Sequence, residues 1–242
     1  MENKVIVSGC SYSYGTTSYG NVLSKRGFDV KLISYPGQGN DSIIYKIYKE
    51  INKNNLKNIQ FICQLTWLHR LSEYLTVSKK WIDYQPNFIN IKPTYDELSD
   101  SVEFNHDVNY GTLNTPDYKL LRITKEHYDE MMQMYKTYLK YHYDETESFN
   151  HLLYKVDTLQ TYINETGNTI KFIYWPNISD DYQLNQLKQR NFVNVGGEYS
   201  ILKWSTKNKL LDGSSHLSET GHETFAQLVE NQLVKKKYQN IC

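Results

Sequence analysis

The chain is poor in the features that usually place a protein at once. Its 242 residues include three cysteines, Cys10, Cys63 and Cys242, an odd number without repeated spacing, so neither a disulfide framework nor a zinc pattern follows. Net charge is also missing. Lys+Arg and Asp+Glu both number 27, which leaves no overall field to draw the chain to nucleic acid or to an anionic membrane. No apolar run approaches the roughly 20 residues of a membrane span, and the N-terminus lacks the basic and apolar regions of a secretory signal. A soluble, cytoplasmic protein in a reducing compartment is the expectation. There is no internal repeat and no low-complexity tract.

Tyrosine is what the chain has in excess. Its 22 tyrosines combine apolar bodies with polar tips and suit half-wet surfaces such as lids, sugar-binding clefts or interfaces. Abundant Tyr, Asn, Ile and Lys beside few Ala and Pro also have a plainer source, an AT-rich genome.

Short β-branched or apolar runs predict strands at Val5–Ser8, Val30–Ser34, Ile59–Leu65 and Thr169–Trp175, with a weaker fifth at Phe192–Val195. Helical spacing predicts a helix over Ser42–Asn52, capped by Asp41. A second covers Ser148–Glu165 and ends before Gly167. A last one begins near Ser218 and runs through Phe225, Leu228, Val229 and Leu233. Alternating strands and helices predict an α/β domain with a mainly parallel sheet. Residues 79–147 interrupt the alternation. Trp81, Tyr84, Tyr95, Tyr110 and Tyr118 precede a helical run through Met131, Met134, Tyr135, Tyr138 and Tyr141. The expectation is one domain over 1–242, with 79–147 a Tyr-rich insertion lying over the carboxyl end of the sheet, where open parallel sheets bind ligands.

Loops after successive parallel strands gather at that end. Here they would bring together Ser11, the run Pro36-Gly37-Gln38-Gly39-Asn40-Asp41, the run Gln64-Leu65-Thr66-Trp67, and the segment from Asp212 to His216. A hydroxyl, an imidazole, a carboxylate and backbone or side-chain donors are the parts that acyl transfer requires. Each also has a plainer role. Ser11 can simply fill a tight turn, Gly37 can serve only a positive φ, and His216 can be an ordinary loop histidine. Cys10 is read as a small buried hydrophobe rather than the nucleophile, and His222 as structural. Arg70 suits either an anionic group on a substrate or a carboxylate of the insertion. The run Lys235-Lys236-Lys237 is a solvated helix end.

At these segments the chain resembles the SGNH (GDSL-type) hydrolases. Gly9-Cys10-Ser11-Tyr12-Ser13-Tyr14-Gly15 is similar to the first block of that family, Gly-Asp-Ser-Leu with a downstream glycine. Cys10 stands for the usual Asp, a variant of uncharacterised phage and bacterial members. Gly37 with Gln38-Gly39-Asn40-Asp41-Ser42-Ile43 resembles the second block, and Asp212 with His216 the last. Two places depart from the pattern. The third block carries an oxyanion-binding Asn where this chain has Gln64-Leu65-Thr66-Trp67, so Thr66 or the neighbouring Asn40 would have to donate instead. Asp212 also stands four residues before His216, where the family has three.

The resemblance implies a three-layer α/β/α sandwich with a flavodoxin-like sheet, and a serine esterase that forms an acyl-enzyme on an oxygen ester, such as an acyl group on a carbohydrate. Ser11 would be the nucleophile, His216 the base and Asp212 its orienting carboxylate. Ser11 and Gly37 N–H groups, with Thr66 or Asn40, would hold the oxyanion. It implies no metal and no organic cofactor. Partners would be a small-molecule or glycan ester, with no nucleic acid or membrane, and self-association stays open. Acyl transfer to an acceptor other than water uses the same residues. The alternative of another class is a decayed SGNH-fold binding or structural module that uses the Tyr-rich insertion as its interaction surface.

Overall fold

A computed structural model describes residues 4–76, 80–85, 90–93, 124–213 and 216–234. The middle of the Tyr-rich segment, with Tyr95, Tyr110 and Tyr118, and the Lys235–Lys237 run and Cys242 lie outside the described residues.

Strand β1 (Lys4–Ser8) pairs in parallel with β2 (Asp29–Leu32) on one side and β3 (Gln60–Leu65) on the other. β1 and β3 are buried along nearly their whole length, as central strands covered on both faces must be. β2 forms the edge and alternates between exposed and half-buried positions.

Helix α1 (Tyr19–Lys25) links β1 to β2, and α2 (Asn40–Asn54) links β2 to β3. α2 buries Ile43, Ile44, Ile47 and Ile51 at helical spacing, each worth about 1.5–3 kcal/mol if fully removed from water. It begins two residues earlier than the periodicity predicts. Gly39, not Asp41, is its N-cap, and Asp41 in the first turn pairs with Lys155.

After β3 the alternation stops. β4 (Ser72–Leu75), β5 (Lys80–Gln85) and β6 (Asn90–Pro93) form a separate antiparallel sheet in the order β4-β5-β6, which opens ahead of residue 79. Helix α3 (Lys125–Tyr141) buries Met131 and Tyr135, and Tyr135 Oη donates to the carbonyl of His69 at 2.9 Å. Helix α4 (Glu145–Glu165) then returns the chain to β7 (Thr169–Tyr174), which pairs in parallel with β3. The main sheet therefore runs β2-β1-β3-β7.

α5 (Asp181–Lys188), α6 (Ile201–Lys207) and α7 (Glu219–Val234) complete the described elements. The weak fifth strand exists only as isolated bridges, Phe192 with Phe172 and Val195 with Glu198. α7 packs against α1, where Arg26 Nε meets Glu230 at 2.5 Å. α2 packs against α4, where Tyr162 Oη donates to Asn52 at 2.7 Å. The fold is α/β with a parallel sheet between helical layers, as the sequence implies. Its strand order reverses between β1 and β3, and the crevice outside the carboxyl ends of those two strands is where such a sheet binds ligands.

Candidate active site

Ser11 stands in that crevice. It opens a single 3-10 turn, Ser11–Ser13, directly after β1, closed by hydrogen bonds from Ser13 N–H to the Cys10 carbonyl at 3.0 Å and from Tyr14 N–H to the Ser11 carbonyl at 3.3 Å. As the first residue of the turn, Ser11 has an N–H with no acceptor inside the turn. The turn is braced from below by Gln64, fully buried on β3. Gln64 Oε1 accepts from Ser13 Oγ, and its Nε2 donates to Cys10 Sγ at 3.2 Å. Tyr19 Oη adds a 3.0 Å bond to Ser13 Oγ. Cys10 is fully buried, which suits its reading as a small hydrophobe.

His216 reaches Ser11 from the far end of the chain. Its Nε2 lies 3.0 Å from Ser11 Oγ. The loop that carries it folds on itself. Asp212 N–H donates to the His216 carbonyl at 2.7 Å, and His216 N–H donates to Asp212 Oδ1 at 3.0 Å. The four-residue spacing is thereby absorbed as a closed loop, with the Asp212 carboxylate on the main chain of the histidine it was expected to orient. Leu211 bridges Leu217, and Ser218, whose Oγ accepts the Gly221 N–H at 3.1 Å, caps α7 as the sequence suggests.

Aromatic rings hold the imidazole from the side. Tyr12 stacks on Trp175 with centroids 3.5 Å apart and lies 4.6 Å from the His216 ring at a 34° tilt. Burial pushes the Tyr12 phenol up, so it stays protonated at neutral pH. His222, buried one turn into α7, has its pKa lowered to about 4, first by burial and then by the neighbouring His216. The ring is therefore neutral at neutral pH.

The loop after β2 forms the other wall. Gly37 has a φ of 83°, a left-handed conformation that glycine adopts without strain. Gly39 is needed for space: a Cβ there would stand 2.5 Å from Ser72 Oγ and 3.1 Å from the Arg70 carbonyl. Asp83 of β5, fully buried, accepts from Gly39 N–H at 2.9 Å, Ser42 Oγ at 2.9 Å and Ser72 Oγ at 2.6 Å. Burial raises its pKa, against the pull of its three donors and Lys46.

Asn40 and Thr66 meet, but not as two parallel donors. Asn40 Nδ2 donates to the Thr66 carbonyl at 3.2 Å while its Oδ1 accepts the Thr66 N–H at 2.8 Å. The amide thus spends its oxygen and one of its two N–H bonds on joining the loops after β2 and β3. Thr66 Oγ1, in contrast, is buried with no hydrogen-bond partner among the described residues. A buried unpaired hydroxyl costs about 1–3 kcal/mol, so it is a feature to be explained.

Asp83 is the site-forming residue that no local pattern announces, since it acts across the fold. Tyr12 carries a signal in its place beside Ser11 and Gln64 in the run brought to the crevice, though the brace that Gln64 supplies under Cys10 and Ser13 does not show in that run. Among the described residues no cluster of His, Cys, Asp or Glu could hold a metal ion, and no helix is long and apolar enough to cross a membrane.

No protein-family model and no curated protein matches the chain. Solved structures do. Protein YXIM from Bacillus subtilis matches with a TM-score of 0.50 at 11% identity, over 98% of this chain and 58% of its own. The psychrotrophic esterase EstA from Pseudoalteromonas sp. gives 0.49 at 9% identity, over 99% of this chain and 100% of its own. The lipase/acylhydrolase from Enterococcus faecalis gives 0.45 at 11%, over 98% and 97%. At such identities the likeness is one of fold alone.

Proposed function

We propose that the chain is a serine ester hydrolase of the SGNH type that acts on an oxygen ester through an acyl-enzyme. The observation that carries this reading is the 3.0 Å approach of His216 Nε2 to Ser11 Oγ at the switch point of the sheet. His216 Nε2 takes the proton as Ser11 Oγ attacks the ester carbonyl. The oxyanion of the tetrahedral state is held by the N–H groups of Ser11 and Gly37 and by the Thr66 hydroxyl. The unpaired Thr66 Oγ1 supports that last role, since a ligand oxygen would give it the partner it lacks. Asn40 serves mainly by fixing Thr66 in place, with its second N–H left to assist.

Collapse of the intermediate expels the alcohol, which takes the proton from His216. Water then repeats the sequence on the acyl-enzyme and frees Ser11 as the carboxylic acid leaves. Asp212, closed onto the His216 main chain, keeps the loop in the conformation that aims Nε2 at Ser11. The substrate class we favour is an O-acyl group on a carbohydrate or similar polar alcohol, in keeping with the tyrosines Tyr12, Tyr14 and Tyr35 around the crevice, of which Tyr14 and Tyr35 stack at 5.8 Å.

The test is direct. The protein should release nitrophenol from short acyl esters and take up a fluorophosphonate label at Ser11, and Ser11→Ala should abolish both. Full turnover in Ser11→Ala sinks the reading.

A further inference from the structure

Arg70 is fixed to the wall of the crevice at two points. Its N–H closes a turn onto the Trp67 carbonyl at 3.3 Å, and its own carbonyl lies against Gly39, where a Cβ would stand only 3.1 Å away. From there the side chain runs back along the loop after β2, and Nη1 donates to the Gln38 carbonyl at 3.2 Å. Gln38 directly follows Gly37, so the guanidinium stands one residue from a proposed oxyanion donor.

That guanidinium is half-buried and carries five N–H donors, of which the Gln38 carbonyl takes one. Among the described residues no Asp or Glu pairs with it. Its charge is felt by Tyr12, Tyr135 and His69. Burial keeps both phenols protonated, and burial together with Arg70 itself lowers the pKa of His69, on which Glu145 pulls the other way. An arginine held in place, partly desolvated and without a carboxylate partner among the described residues is prepared for an anion from outside. Its planar fork suits a carboxylate, phosphate or sulfate.

We propose that Arg70 selects the substrate by binding an anionic group carried by the ester that Ser11 attacks. The inference rests on the esterase reading above and narrows it to esters of acidic molecules, with the charge on either the acyl or the alcohol side.

Two matched pairs of esters test it. Mono-4-nitrophenyl succinate against 4-nitrophenyl butyrate places a carboxylate or a methyl on the acyl side. 4-Acetoxybenzoate against 4-tolyl acetate does the same on the alcohol side. The readout is the ratio of kcat/KM, charged over neutral, in the wild type, Arg70→Met and Arg70→Lys. For at least one pair the Met variant should lower the ratio tenfold or more, the Lys variant should keep part of it, and added salt should erode the wild-type ratio. Unchanged ratios for both pairs overturn the inference.

Calorimetric binding of mono-4-nitrophenyl succinate and 4-acetoxybenzoate to Ser11→Ala separates this outcome from failure of the esterase reading. Binding that disappears in the Ser11→Ala, Arg70→Met double variant supports the anion site even where no ester is turned over. Absent or Arg70-independent binding of both overturns the anion site, even where neutral esters are hydrolysed.

Discussion

The two walls of the crevice are held in place by different means. On the wall built from the loops after β2 and β3, the Gly37–Asn40 segment depends on distant residues. Asp83 of the antiparallel sheet holds Gly39 and Ser42, and Asn40 is locked to Thr66. On the wall that carries His216 the main-chain bonds are local. Asp212 and His216 bond to each other's main chains, and Ser218 donates both N–H and Oγ to the Leu210 carbonyl, at 2.8 and 3.0 Å. One wall is a tertiary assembly and the other is a local loop. Damage to the first should therefore be felt by the whole fold, and damage to the second mainly by the chemistry.

The largest effect should come from the local wall. His216→Ala removes the proposed base and should cut kcat about 10⁴-fold, while denaturant midpoints stay near the wild type. A large loss of stability instead would erase the contrast. On the tertiary wall, Asp83→Ala strands a buried N–H and two hydroxyls and should cost about 3 kcal/mol in urea unfolding. Asp83→Asn, which keeps an acceptor, should recover part of it.

His222 probes the local wall, where His216 and Asp212 act on it. Its folded pKa of about 4 lies below the unfolded value near 6.5, so the unfolded chain binds the proton more readily between those values. Its contribution, about 3 kcal/mol, is then complete above pH 6.5 and lost as the pH falls toward 4. His222→Gln should flatten that part of the stability–pH curve.

Thr66→Val keeps the shape and removes the unpaired hydroxyl. It should lower kcat about 10–10²-fold and leave stability equal or slightly higher. A variant less stable with unchanged kcat would mean that the hydroxyl serves the fold. Asp212→Ala should show the smallest loss of stability, about 1 kcal/mol for a local hydrogen bond, so that the same Asp-to-Ala change reads about threefold larger on the tertiary wall.

This contrast also explains what could be read from the sequence. The parallel strands were legible because β-branched runs such as Val5–Val7 are buried on both faces, and the Ser11 turn and Asp212–His216 loop because each is a contiguous motif. Asp41 suits a cap by residue type, but Gly39 is the N-cap and Asp41 is engaged by Lys155, 114 positions away. Asn40 was read as a candidate oxyanion donor because its type suits that work. Only the fold reveals that most of its amide is engaged with Thr66, a residue 26 positions away. Gln64 read as strand, and its role as the brace under Cys10 and Ser13 depends on β1 and β3 being neighbours.

The 205 residues that separate Ser11 from His216 have a consequence for biosynthesis. At translation rates of roughly 5–20 residues per second, the hydroxyl is made some 10–40 s before its imidazole. Through that interval β1, β2 and β3 can pair without a base beside the serine. A nascent chain would therefore be inert toward esters and toward serine-directed inhibitors until α7 docks on α1, and labelling of stalled ribosome complexes would report that moment.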